Sequence, residues 1–274
     1  MAAAAVLSKE QEKAVESAFA NGAVSSSDPE LKEPLAIMEK AVVEAIGGDH
    51  FMARDSEAIQ RFLMARKLKL KPTVDMIQEH TIWRSTTLPI HPTGPVLVEL
   101  RKGKMELHGK SCKGLPLVII SSRLFDPKVR DLQASVQAAV YIFERALETM
   151  PDAKQFAVLY DRNGFSFMRN WDFDLLREVV KTLSANYPER LSDMYIYPAG
   201  GLVTLAIKML GPFLDPRTRA KVHALNTTEQ LLRHVPEQFV PVASGGTSTH
   251  VFDPAQFDGA APAPASMVAP VAVG

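Results

Sequence analysis

From Leu35 the chain places apolar residues at helical spacing. Leu35, Met38, Val42 and Ile46 share one face, and Gly47-Gly48 ends the run. Ile59, Phe62 and Leu63 predict a second helix, with Arg61, Arg66, Lys67 and Lys69 left for solvent. Pro72 sits where a first helical turn accepts proline, and Met76, His80 and Trp83 lie on one side of the helix that follows. After Pro89-Ile90-His91-Pro92 the pattern changes. LVII (Leu117–Ile120), FAVLY (Phe156–Tyr160) and MYIY (Met194–Tyr197) are apolar runs of strand length, and a fourth strand is expected over Lys221–Leu225. Leu132, Val136, Ala139, Val140, Phe143 and Leu147 predict one intervening helix, and Leu176, Val179, Val180 and Leu183 another. Unbroken apolar strands separated by helices predict an α/β fold: a mainly parallel sheet covered by helices, preceded by an all-helical module.

The segment between the last two strands departs from this pattern. Leu202, Leu205, Ala206, Met209, Leu210 and Phe213 share one helical face, and Val203 and Ile207 make much of the remainder apolar. Thr204 and Lys208 leave only a narrow polar stripe. A helix apolar nearly all round is buried in protein or lies on lipid. Gly200-Gly201 and Gly211-Pro212 bound it, so it holds roughly 13 residues and spans about 20 Å. A bilayer core is about 30 Å thick, so the helix does not cross it. Two readings remain: an ordinary core helix, or a lid over an apolar cavity hinged at Gly200 and Gly201. Polar residues flank it, with Glu189 and Arg190 before and Thr218 and Lys221 after.

Residues 1–30 read as a weakly ordered leader, because SSSDP (Ser25–Pro29) breaks the weak helix offered by Ala14, Val15 and Ala18. The helical module is expected over residues 31–90 and the α/β domain over 91–250. Residues 251–274, rich in Ala and Pro, read as a disordered tail.

Composition narrows the function. Lys plus Arg and Asp plus Glu both number 31, so no global field draws the chain to nucleic acid. Cys112 is the only cysteine, which excludes an internal disulfide and a thiolate zinc cluster. Glu10 and Glu12 within MAAAAVLSKEQEK do not match a secretory signal or a presequence. The expectation is a cytoplasmic monomer with transient membrane contact.

HGKSCKG (His108–Gly114) evokes a phosphate-binding loop, but Gly103 is one position too far away and a strand follows instead of a helix. The segment reads as a surface hairpin or turn. The seven histidines show no metal-ligand spacing, and Gly164-Phe165-Ser166-Phe167 is not a nucleophile elbow. No enzyme, cofactor or metal is expected.

Three stretches, in order, carry a family resemblance. They are RFLMARKLKLKPTVDMIQEHTIWR (Arg61–Arg84), YPERL followed by a strand and then PFLDPRTRAKV, and LLRHVPEQFVPVASGGTS ending in Gly245-Gly246-Thr247. Together they resemble the CRAL-TRIO lipid-binding domain family, whose members include phosphatidylinositol/phosphatidylcholine transfer proteins. The resemblance covers about residues 35–248. It implies a lipid cavity floored by one sheet face and closed by a lid helix. The lid and acyl-chain residues it implies are Leu202, Leu205, Ala206, Met209, Leu210 and Phe213.

The resemblance also implies lipid headgroup roles for Arg66, Lys67, Glu189, Arg190, Thr218 and Lys221, with Ser166 matching a phosphocholine-contacting hydroxyl. The chemistry suits a lipid phosphate, which takes charge-assisted donors, and inositol hydroxyls, which take a carboxylate. Without the resemblance, the Arg61–Lys69 cations are a solvated helix face, and Glu189 and Lys221 are a structural ion pair. Two positions depart from the family pattern. Leu107 stands where an aromatic residue commonly precedes the histidine, and Cys112–Leu117 lacks the usual arginine. The function implied is lipid binding and transfer, with phosphatidylinositol favoured. The alternatives are a carrier of a tocopherol- or retinoid-like molecule, or a lipid-sensing adaptor.

Overall fold

The computed structural model describes residues 7–20, 24–150, 152–201, 203, 208–209 and 216–263. Its contacts divide the chain into two units. Among the described residues, one holds the chain up to Thr87 together with Ala185–Glu189; the other holds Leu88–Ser184 and residues 190–263.

The first unit contains α1 (Lys9–Ala20), α2 (Lys32–Ile46), α3 (Ser56–Ala65) and α4 (Leu70–Thr87). Asp55 caps α3, its carboxylate accepting the Ala58 N–H at 2.8 Å. The periodic positions Leu35, Met38, Val42, Ile59, Phe62, Leu63 and Met76 meet in one core. The expected leader is part of it. Val15 of α1 is buried there, and Leu7, Ala18, Phe19 and Val24 pack alongside. SSSDP turns the chain back instead of ending its order: Asp28 caps a short turn (Pro29–Leu31) whose Leu31 joins the core. His80 is also buried, its Nδ1 3.0 Å from the Asn186 side-chain oxygen. Burial lowers its pKa to about 4, so the ring is neutral and Nδ1–H donates.

The second unit holds a five-stranded sheet in the order β1 (Met105–Lys110), β2 (Pro116–Ser121), β3 (Phe156–Asp161), β4 (Leu191–Tyr197), β5 (Val222–Ala224). β1 and β2 form an antiparallel hairpin, and β2 to β5 are parallel. The turn of the hairpin is the CKG segment. β1 itself escapes the sequence pattern because it is a half-buried, partly polar edge strand. The helices are α5 (Gly94–Arg101), α6 (Leu132–Thr149), α7 (Phe167–Asn170), α8 (Phe173–Asn186), α9 (Pro216–Ala220) and α10 (Thr228–Leu232).

Strand register sorts the side chains. Leu107, Val118, Val158, Met194 and Val222 form one row across the sheet. Met105, Ile120, Tyr160, Ile196 and Ala224 form the next row on the same, front, face. No charged residue belongs to either row. The parallel strands advance in one direction, so right-handed crossovers bring their connections over one face. α6 packs across β1, β2 and β3, and the first α8 core residue, Leu175, lines a small cavity with Met105, Ile142 and Ala138.

The back face carries Leu117, Ile119, Ala157, Leu159, Tyr195 and Tyr197. It is closed by Leu225, Leu231, Val235 and Val240 from the carboxy-terminal segment. Gly245 and Gly246 lock that segment. Gly245 has φ +84° against Thr228, and a Cβ on Gly246 would lie 2.1 Å from the Val240 carbonyl oxygen.

The expected disordered tail is a strap over its first part. Phe257 and Ala263 are buried, Ala263 bridges to Ile90, and the Tyr141 hydroxyl donates to the Ala261 carbonyl at 3.2 Å. Phe252 and Phe257 supply the anchoring that the Ala/Pro composition alone lacks.

A buried ion cluster fastens α5, β1 and α6 together. The Glu99 carboxylate accepts from Lys102 and Lys104 Nζ, both at 2.5 Å, from Ser135 Oγ at 2.9 Å and from the Asp131 N–H at 3.1 Å. Burial alone pushes this carboxyl up, but the lysines and hydrogen bonds hold it at about 2. The depressed value favours folding above the ordinary carboxylate pKa, and that contribution is lost as pH falls toward about 2. Glu99→Gln leaves Lys104 buried without its counter-charge, and urea unfolding at pH 7 is expected to show a loss of about 3–5 kcal/mol. The variant's deficit shrinks on acidification below pH 4.5. A deficit independent of pH would contradict the ionic role.

Candidate lipid-binding face

The front face is uneven. Its β1–β2 side lies under α6, where Val118 and Ile120 are buried. Toward β3–β5, Tyr160, Met194 and Val222 remain half-buried around Ile196, Ala199 and Val203. The apolar positions of α8, Leu176, Val179, Val180 and Leu183, are half-buried as well. Apolar surface on the sheet and on its crossover helix is thus incompletely covered. Burial pushes the Tyr160 phenol up to about 12, so this face is neutral at physiological pH.

The connection from β4 to β5 begins at this face. Val203 packs into the small cluster with Ile196 and Ala199, whereas Lys208 and Met209 are exposed. Met209 was expected inward and Val203 on the flank. Leu202, Leu205, Ala206, Leu210 and Phe213 lie outside the described residues. Gly200, with φ +60°, and Gly201 are both exposed. The left-handed backbone at Gly200 is one that side-chain-bearing residues avoid.

Sequence reasoning missed Arg162, which fastens the backbone just before Gly200. Its guanidinium donates to the carbonyls of Pro198, at 3.0 Å, and Ala199. Its backbone N–H donates to the Tyr197 carbonyl at 2.7 Å, and the Ala199 N–H donates to Leu225 at 2.8 Å. The preceding Asp161 is buried, and its carboxylate takes the Asn163 N–H at 3.0 Å and the Ser244 hydroxyl at 3.2 Å. The DRNG turn after β3 therefore pins both the 198–199 backbone and the carboxy-terminal segment. An Arg among apolar strands was the available signal.

The expected headgroup residues divide between the two units. In the first unit, Arg66 follows α3, and Lys67 and Leu68 have φ +53° and +58°. Glu189 has φ +59°, so two of these expected residues occupy a backbone conformation rare for side-chain-bearing residues. Such conformations concentrate at functional sites.

In the second unit, Thr218 and Lys221 are half-buried and close one turn, the Lys221 N–H donating to the Thr218 carbonyl at 3.1 Å. Lys221 accepts the Met194 N–H at 2.8 Å, which places it at the amino end of β5. Arg190 is buried at the amino end of β4, donating to the Lys154 carbonyl at 2.8 Å. Ser166 instead follows the carboxyl end of β3. A strand of this length spans about 20 Å. The fold therefore brings Thr218 and Lys221 together and sets Ser166 at the other end of the sheet.

The titratable cluster of Lys113, Asp193 and His223 lies off the front rows. Burial raises the Asp193 carboxyl, but Lys113, Ser192 and His223 hold it at about 2. No group of three or more metal-ligating side chains occurs among the described residues.

Comparison with known proteins agrees with this architecture. The model of the CRAL/TRIO domain matches residues 100–246, more than half of the chain. The chain belongs to the CRAL/TRIO domain family. Phosphatidylinositol transfer protein CSR1 of Eremothecium gossypii is 26% identical over 159 residues, covering 58% of this chain and 36% of that protein. Phosphatidylinositol/phosphatidylcholine transfer protein SFH9 of Arabidopsis thaliana is 28% identical over 247 residues, covering 80% and 42%. Tyrosine-protein phosphatase non-receptor type 9 of Homo sapiens is 24% identical over 191 residues, covering 68% and 32%. The chain thus spans less than half the length of these relatives. The crystal structure of Sfh5 superposes with a TM-score of 0.56 at 17% identity, covering 89% of this chain and 90% of that one, and shows the same fold. No helix among the described residues is long and apolar enough to cross a membrane.

Within this CRAL/TRIO domain, Arg162→Ala removes the clamp on the Pro198 and Ala199 carbonyls. Hydrogen exchange at the Ala199 and Gly200 amides is expected to rise about tenfold or more, with the central strands unchanged. Unchanged exchange at 199–200 would show that Arg162 does not hold this backbone.

Proposed function

We propose that this chain binds a lipid against the front face of its sheet and exchanges it between membranes. The incomplete cover over an uncharged apolar face, from Tyr160 to Val222 and along α8, supports this reading above all. Exposing about 30 methylenes of a diacyl lipid to water costs about 0.8 kcal/mol each, or about 24 kcal/mol in total. An apolar face that matches the bilayer offsets this cost, so exchange approaches thermoneutrality without chemical catalysis. The segment after Gly200-Gly201 acts as the lid. Its Leu202, Leu205, Ala206, Leu210 and Phe213 cover the acyl chains, while Met209 and Lys208 meet the membrane surface. The chain works as a monomer in the aqueous phase, touching membranes transiently.

The names of the relatives from Eremothecium gossypii and Arabidopsis thaliana favour phosphatidylinositol. In the second unit, Lys221 donates to the lipid phosphate beside Thr218, and buried Arg190 holds the adjoining strand end. Ser166 contacts a different part of the ligand. In the first unit, Arg66, Lys67 and Glu189 are the corresponding polar residues. A lipid-sensing role is the second reading, favoured by the phosphatase relative, of which the matched region covers only 32%.

Transfer of labelled phosphatidylinositol between vesicles tests the lid. Leu205→Asp with Met209→Asp is expected to slow it about tenfold or more while the fold survives; an unchanged rate would reject the lid. Lys221→Ala is expected to lower phosphatidylinositol loading about tenfold and leave loading of neutral lipophiles unchanged. Equal losses for both would reject the headgroup role.

A further inference from the structure

α7 presents apolar side chains outward from a well-fastened platform. Met168 is 88% exposed and Phe167 40% exposed. Neither belongs to the lid, and a soluble surface rarely keeps adjacent large apolar side chains in water without use. Phe167 stacks on Trp171 with ring centroids 5.3 Å apart, and Trp171 stacks on Phe173 at 6.5 Å.

Two neighbouring loops hold this ladder in place. The Asn170 amide donates to the carbonyls of Arg123, at 3.0 Å, and Phe125, at 2.8 Å. Arg130 grips Asp172 through both carboxylate oxygens, at 2.6 and 3.0 Å. That carboxylate in turn caps α8 through the Leu175 N–H at 3.1 Å. The loop after β2 and the loop after β3 are thereby joined at the carboxyl ends of two adjacent parallel strands.

The charge on these loops is mainly basic. Arg123, Lys128 and Arg169 are exposed and have no ion pair among the described residues. The acidic residues of these loops are engaged: Asp126 by the Lys128 N–H at 2.9 Å, Asp131 by the Ala134 N–H at 2.9 Å, and Asp172 by Arg130. A third exposed apolar residue, Val129, follows at 69%. Aromatic residues backing an exposed methionine, ringed by arginine and lysine, have the chemistry of an interfacial anchor on an anionic bilayer.

We propose that the α7 platform docks this chain on anionic membranes, inserting Met168 and Phe167 while Arg123, Lys128 and Arg169 meet lipid phosphates. This rests on the lipid-exchange reading and gives it a fixed contact, separate from the lid. The β4–β5 connection starts at the same end of the sheet, so docking here sets the lid's hinge at the bilayer.

Co-sedimentation of the full chain with vesicles tests the platform, using phosphatidylcholine with and without phosphatidylserine. Met168→Asp is expected to lower partitioning about tenfold on both compositions. Arg123→Gln with Arg169→Gln is expected to lower it about tenfold on the anionic vesicles and leave the neutral ones unchanged. Melting temperature and bound-lipid content stay at wild-type values, because these side chains are exposed. Wild-type partitioning by both variants would overturn the platform, as would a wild-type chain that ignores vesicles, which would leave the patch to a protein partner. A wild-type chain that carries no lipid yet loses vesicle binding in Met168→Asp would refute the exchange reading and uphold the docking surface.

Discussion

Crossover handedness is the constraint on which this architecture depends. Strands β2 to β5 advance in one direction across the sheet, so right-handed connections collect on the front. The back then needs another cover, and residues 225–248 supply it. Leu231, Val235 and Val240 fill that face, and the two glycines at 245 and 246 allow the chain to close against Val240 and Thr228. A sheet sealed behind and crossed in front by separate helices is free to differ in how tightly each crossover packs. α6 packs fully. The apolar face of α8 stays half-buried, as do Tyr160, Met194 and Val222 of the sheet.

Charge follows the same division. The front rows carry none. The strong ionic contacts sit at the rims, where Glu99 gathers two lysines and Arg130 holds Asp172. Removing one member of such a buried pair is costly, so these contacts fix the rims even though their net contribution to stability is small. In the proposed function, a rigid rim around an uncharged floor selects a ligand by its hydrocarbon first. The proposed polar contacts lie at the ends of the strands, with Lys221 and Thr218 at one end and Ser166 at the other.

Much of this was legible in the sequence. Apolar runs marked β2, β3 and β4 because strands buried on both faces leave no room for polar residues, and 3.6-residue spacing marked α2, α3, α6 and α8. β1 was hidden by its edge position, which lets Glu106 and His108 reach polar partners. α1 and the 251–263 strap were misread because composition over a window says little when single residues, Val15 and Phe257, supply the anchoring. The residues that fasten the candidate site were the hardest to see. Arg162 acts through carbonyl groups, and Asn170 joins two loops that only the fold makes neighbours. Exposure, which singles out Met168, is invisible to periodicity.

The central claim is that the chain's own side chains do not fill the space over the β3–β5 side of the front face, and that a lipid does. Native mass spectrometry of the purified chain, followed by solvent extraction, tests this directly. The account predicts a mass increment of one lipid per chain that disappears on extraction and leaves a less stable protein. A chain that is ligand-free as isolated, fully stable, and unable to take up lipid from vesicles would contradict it.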